Sequence, residues 1–181
     1  MLFVGKLLQH LWQANAFPAE VLSATVDNGG YDVVIECNSA QRHIQLKSQI
    51  STSGKKHISV NERLGLKPSG CVVWMIVHPE TLSVERFLWL GNKPGDALPS
   101  LAKYPRACRT TPNSKGEKPE RANTRKLPSS AFEILKDIAA VVDRLFGPCT
   151  QMERGYDRGL DEPSKRRAQG SAWEMQSVSP N

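Results

Sequence analysis

The chain has 181 residues, 39% of them apolar, with a net charge of +6 from 24 basic and 18 acidic side chains. That composition suits one domain with a real core plus some surplus chain, and it excludes wholesale disorder. The four cysteines, Cys37, Cys71, Cys108 and Cys149, are far apart with no Cys-x-x-Cys pair, which excludes a strong zinc motif and implies no disulfide framework; a reducing cytoplasmic location fits.

Leu2, Phe3, Leu7, Leu8, Leu11 and Trp12 recur at helical spacing, which predicts an amphipathic helix over Leu2 to Asn15. Gln9 and His10 interrupt its apolar run, so it reads neither as a signal peptide nor as a membrane span. No cap precedes Met1-Leu2-Phe3-Val4, and the sequence leaves open whether the true start lies upstream of Met1. A short strand within Phe17–Val26 should then lead into the turn Asp27-Asn28-Gly29-Gly30.

Next comes alternation. Val33, Ile35, Ile44 and Leu46 take one parity, and Asp32, Gln45 and Lys47 the other, which predicts a β-hairpin with one apolar and one polar face. With Asn38 to Gln41 as the loop, Asp32 falls opposite Lys47 and Val34 opposite Gln45. The plainest interpretation of Asp32 and Lys47 is a cross-strand ion pair worth about 0–1 kcal/mol. Glu36 is four residues from Asp32, about 13 Å along a strand, and is expected to pair with Arg42 or His43 instead. His43 shares the parity of Gln45 and Lys47.

Residues 51–56 read as a loop and Ile58 to Leu66 as a short helix. Lys55 and Lys56, just past the hairpin, can reach a substrate phosphate or simply make a polar loop. Gly70 to His78 is a nearly continuous apolar run, the mark of a central strand buried on both faces, and Leu82 to Leu90 is its antiparallel partner. Trp74 and Trp89 are assigned to the core. Gly91 to Leu127 reads as a long basic loop. Within it Lys103, Arg106, Arg109, Lys115, Lys118, Arg121, Arg125 and Lys126 face only Glu117 and Glu120, so this stretch holds the whole net charge. Such a stripe attracts phosphates, although a solvated basic loop explains it as well. Ser129 or Ser130 should cap a last helix that carries Phe132, Leu135, Ile138, Val142 and Leu145, ends at Gly147-Pro148 and closes the sheet's other flank. Residues 148–181 have little apolar content and read as a disordered tail, with Trp173 as an incidental residue or a short docking element.

Asp32 after Gly29-Gly30-Tyr31, then Gln45-Leu46-Lys47 on the next strand, gives the spacing D-x12-QxK. Over about residues 1–90 this resembles the PD-(D/E)xK nuclease superfamily, in its small bacterial members whose middle acid is a glutamine. The resemblance implies a single restriction-endonuclease-like α/β domain over residues 1–147. Its mixed sheet should have four or five strands with helices on both faces. It further implies hydrolysis of DNA phosphodiesters with Mg²⁺ or Mn²⁺. Asp32 would be the anionic ligand, with the Gln45 amide oxygen and the Leu46 backbone carbonyl beside it. Lys47 would stand by the attacking water or the scissile phosphate. Lys55, Lys56 and the eight basic residues between Lys103 and Lys126 would meet the nucleic acid; a homodimer is a further expected partner. Gln45 is neutral where many members carry a carboxylate, and the first helix lacks the glutamate that often helps hold the metal. Both departures favour an alternative, an inactive nuclease-fold protein that binds DNA or a protein. A purely structural interaction module, with Asp32 and Lys47 as a surface ion pair, is the third reading.

Overall fold

The computed structural model describes residues 2–14, 18–24, 29–112, 114 and 116–148. Asp27, Asn28, Lys115, Cys149, Trp173 and the expected tail from residue 149 lie outside the described residues.

Helix α1 (Leu2–Gln13) buries Phe3, Leu7 and Leu11 of the expected apolar positions, while Leu2 and Trp12 are exposed. After it come β1 (Ala19–Ser23), β2 (Val33–Cys37), β3 (Ala40–Ile50), β4 (His57–Asn61), β5 (Gly70–Val77), β6 (Val84–Gly91), β7 (Arg106–Cys108), β8 (Glu120–Pro128), β9 (Glu133–Leu135) and α2 (Ile138–Phe146). The main sheet runs β1-β2-β3-β5-β6-β9, and a second sheet runs β4-β8-β7. Only β3 and β5 pair in parallel, so the main sheet is mixed. The protein is therefore α/β, with a six-stranded mixed sheet where four or five strands were expected. None of the helices among the described residues is long and apolar enough to cross a membrane.

Both helices pack on one face of the main sheet, sharing a core with Val33, Ile35, Ile44 and Val73. The expectation of helices on both faces is thus corrected. Val72, Trp74, Ile76 and Leu88 on the opposite face are covered by Val60, Leu64, Leu127 and Phe132 from β4, β8 and the turns beside them. A strand buried on both sides needs a cover on each, and β5 is buried at all eight of its residues. Here the second cover is a sheet.

Three further expectations change. The stretch 91–127 is not one basic loop, because β7 and most of β8 come from it. Residues 58–66 begin as strand β4 and become a 3-10 turn at Glu62–Leu66, capped by the Asn61 side chain on the Arg63 N–H. The last helix starts at Ile138, with Asp137 rather than a serine as its cap, accepting from the Ala140 N–H at 2.9 Å. Between Ser129–Ala131 and that cap the chain is extended, because Glu133–Leu135 pair with the outer edge of β6.

The hairpin register also moves. Asn38 and Ser39 both take positive φ, at 47° and 63°, the geometry of a two-residue type I′ turn. The ladder therefore closes at Cys37 and Ala40, and Val34 faces His43. The displacement from the expected pairing is two residues, so every side chain keeps its face.

Candidate functional site

Gln45 and Lys47 register beside Val72 and Trp74 of β5, on the face covered by the second sheet. Strand β4 crosses this face and is tied down at both ends. The Gln45 Oε1 accepts from the Asn61 N–H at 3.2 Å, and the Gln49 Nε2 donates to the Lys55 carbonyl at 3.2 Å. Lys47 lies between these two ties, half-buried, and no carboxylate among the described residues comes within 4.0 Å of its ammonium. The ion pair between Asp32 and Lys47 is not formed. Two neighbouring polar atoms, the Gln49 Oε1 and the Trp74 Nε1, are buried without a hydrogen-bond partner among the described residues.

Asp32 sits at the bend before β2 and brackets Gln45. Its N–H donates to the Ile44 carbonyl at 2.9 Å, and its Oδ2 accepts from the Leu46 N–H at 2.6 Å. The reason is local. β3 has 11 residues and β2 only 5, so β2 ends before it can serve Leu46, and the carboxylate takes the place of the missing carbonyl. Strand N–H groups point along the sheet, so this bond holds the carboxylate at sheet level beside Gln45 rather than opposite Lys47. The Leu46 carbonyl leaves β3 on the same edge. Asp32 itself is exposed.

These donors make a poor cation site. Mg²⁺ is held by one or two carboxylates with waters and substrate phosphates. Here one carboxylate already serves Leu46, and the amide oxygen of Gln45 is buried against Asn61. No three His, Cys, Asp or Glu side chains cluster among the described residues in a way that would hold a metal. The described residues do not fit the expected Mg²⁺ or Mn²⁺.

His43, of the same parity, is committed elsewhere: its Nδ1 meets the Pro68 carbonyl at 2.9 Å and its ring meets Tyr31 edge-on at 4.9 Å. Glu36 lies opposite Glu20 on β1 and Gln41 on β3, not against a base. Arg42 points to the helical face and is buried; its Nη2 donates to the carbonyls of Asn92 and Arg144 at 2.8 and 2.9 Å, and its guanidinium covers the Trp89 ring. Burial pulls its pKa down, while Cys71 and Asp96 push it back up.

The basic residues divide into tethered and untethered. Arg125 is structural, with its Nε on the Glu62 Oε2 at 2.6 Å and its Nη1 on the Tyr104 carbonyl. Arg106 lies 4.0 Å from Glu120, and the Lys103 ammonium stands over the Tyr104 ring. Arg109, Lys118, Arg121 and Lys126 have no acidic partner among the described residues and are exposed. Lys55 and Lys56 are exposed at the far end of β3, where the Lys56 carbonyl accepts from the Ser129 N–H.

Asn61 is the residue the sequence reading missed. It ends β4, pairs with Thr124 of β8, and joins Gln45 to the basic sheet. Its signal was present: Ile58-Ser59-Val60 alternates as a strand does, and an asparagine before Glu62 is a cap. Comparison with protein-family models, with curated proteins and with solved structures finds no match.

Proposed function

We propose that this chain is a nucleic-acid-binding protein that holds phosphates on its second sheet, next to the face that carries Gln45 and Lys47. The observation that carries this reading is the set of untethered bases, Arg109, Lys118, Arg121 and Lys126, on or beside β8. β8 is joined through Asn61 to Gln45. Basic side chains without acidic partners release counterions when they meet phosphates, which favours association with any nucleic acid. Anisotropy of labelled DNA, titrated at rising salt, tests the reading. Affinity should fall linearly on logarithmic axes as salt rises; no binding at low salt would overturn it.

A second reading, metal-dependent hydrolysis of DNA, is favoured by Lys47, which stands half-buried beside Gln45 without a carboxylate partner among the described residues. A lysine so placed can donate to a phosphate oxygen and offset developing charge. A second acid for a metal would have to come from outside the described residues. Supercoiled and single-stranded DNA incubated with Mg²⁺ or Mn²⁺ decides this. Cutting by the wild type that is lost in Lys47→Ala supports hydrolysis, and binding without cutting leaves the binding protein.

A further inference from the structure

An open groove of about 860 Å³ lies at the end of the second sheet. Asn61 and Arg63 form one wall, Arg109 to Pro112 the other, and Glu120 to Thr124 of β8 the floor. Among the described residues, the guanidinium groups of Arg63, Arg109 and Arg121 and one carboxylate, Glu120, which is shared with Arg106, line this groove; Arg109 and Arg121 have no acidic partner there. Resting on the reading of the chain as a nucleic-acid binder, we propose that this groove takes one single strand of nucleic acid, gripped by its phosphates.

Four observations lead there. The walls stand on both sides of the floor, and a concave channel encloses one backbone where a duplex would present two diverging rows of phosphate. Arginine is suited to the role, because its planar fork meets two phosphate oxygens at once. The floor adds main-chain groups: β4 stops at the pair Asn61 and Thr124, and β7 meets β8 only at Arg125 and Glu120. Arg121, Ala122 and Asn123 therefore have no registered strand partner among the described residues, and all three line the groove. Finally, no aromatic ring among the described residues lines the groove, while Thr110, Thr111 and Thr124 do. The described walls thus offer phosphate and sugar contacts rather than stacking platforms, and phosphate contacts carry little sequence preference. Arg63 enters the site from the turn after β4, outside the basic stretch that holds the net charge.

The test compares a short oligothymidylate with a duplex of equal length, on the full chain. The variants are Arg109→Ala/Arg121→Ala in the groove and Lys6→Ala/Lys136→Ala outside it, each checked for wild-type circular dichroism. The expected result is tighter binding of the single strand. The groove variant should lose about tenfold in affinity, as expected for lost charge-assisted bonds. Its salt slope should fall by about 1.4, two phosphate contacts at about 0.7 each, while the outer variant keeps the preference. Equal or tighter duplex binding, or a loss confined to the outer variant, overturns the groove but keeps the nucleic-acid reading. No binding of either probe by the wild type overturns both.

Discussion

The amide oxygen of Gln45, in the main sheet, accepts the backbone N–H of Asn61, in the second sheet, at 3.2 Å. With the bond from Gln49 to the Lys55 carbonyl, this contact ties β4 and the residues just before it to β3 on either side of Lys47. A residue expected at a metal is thereby a joint between two layers.

Gln45→Ala should therefore be a stability variant first. It leaves the Asn61 N–H unpaired and a hole under β4, at a cost of about 2–3 kcal/mol. Urea unfolding measures this; an unchanged midpoint would show that the joint contributes nothing.

Asp32→Ala removes the acceptor for the Leu46 N–H at an exposed position, where water can substitute, so the global cost should be about 1 kcal/mol. The local effect is sharper. Amide exchange at Leu46 should accelerate in Asp32→Ala and much less in Asp32→Asn, which keeps an acceptor oxygen. Equal exchange in all three forms would contradict the capping role.

Burial pushes the Cys71 thiol from its ordinary 9.0 up to about 12, against the opposing pull of Arg42. The folded chain thus keeps a proton that the unfolded chain releases, so stability is full below about pH 9 and falls as pH rises toward 12. Cys71→Ala costs packing at every pH, but its stability should decline less steeply over that window. Parallel curves for the two proteins would exclude Cys71 as the source.

Arg125→Ala should behave unlike its basic neighbours. Its guanidinium holds Glu62 and the Tyr104 carbonyl from a side chain only 17% exposed, and its loss should cost about 2 kcal/mol. Lys126→Ala, at an exposed position, should leave the melting temperature unchanged and only reduce the salt slope of DNA binding.

Much of this molecule follows from parity and period alone. The alternation of Val33, Ile35, Ile44 and Leu46 fixed which side of the hairpin is apolar, and the unbroken run from Gly70 to Val77 required a strand covered on both faces. The Asn38-Ser39 turn shifted the pairing by two residues, and an even shift leaves every side chain on its face. That is why Gln45 and Lys47 were recognisable as neighbours before any coordinate. What lies above them was not. Whether a basic stretch is a loop or a sheet depends on pairing between β4 and β8, whose partners, from Asn61 with Thr124 to His57 with Pro128, are far apart in sequence, and no local signal encodes that partner. The same long-range packing made Asp32 a cap for Leu46, turned Arg125 into a strut, and gathered Arg63, Arg109 and Arg121 around one groove. Sequence by itself determined the faces; only the tertiary structure decided what covers them, because side-chain direction is a property of one strand and cover is a property of two.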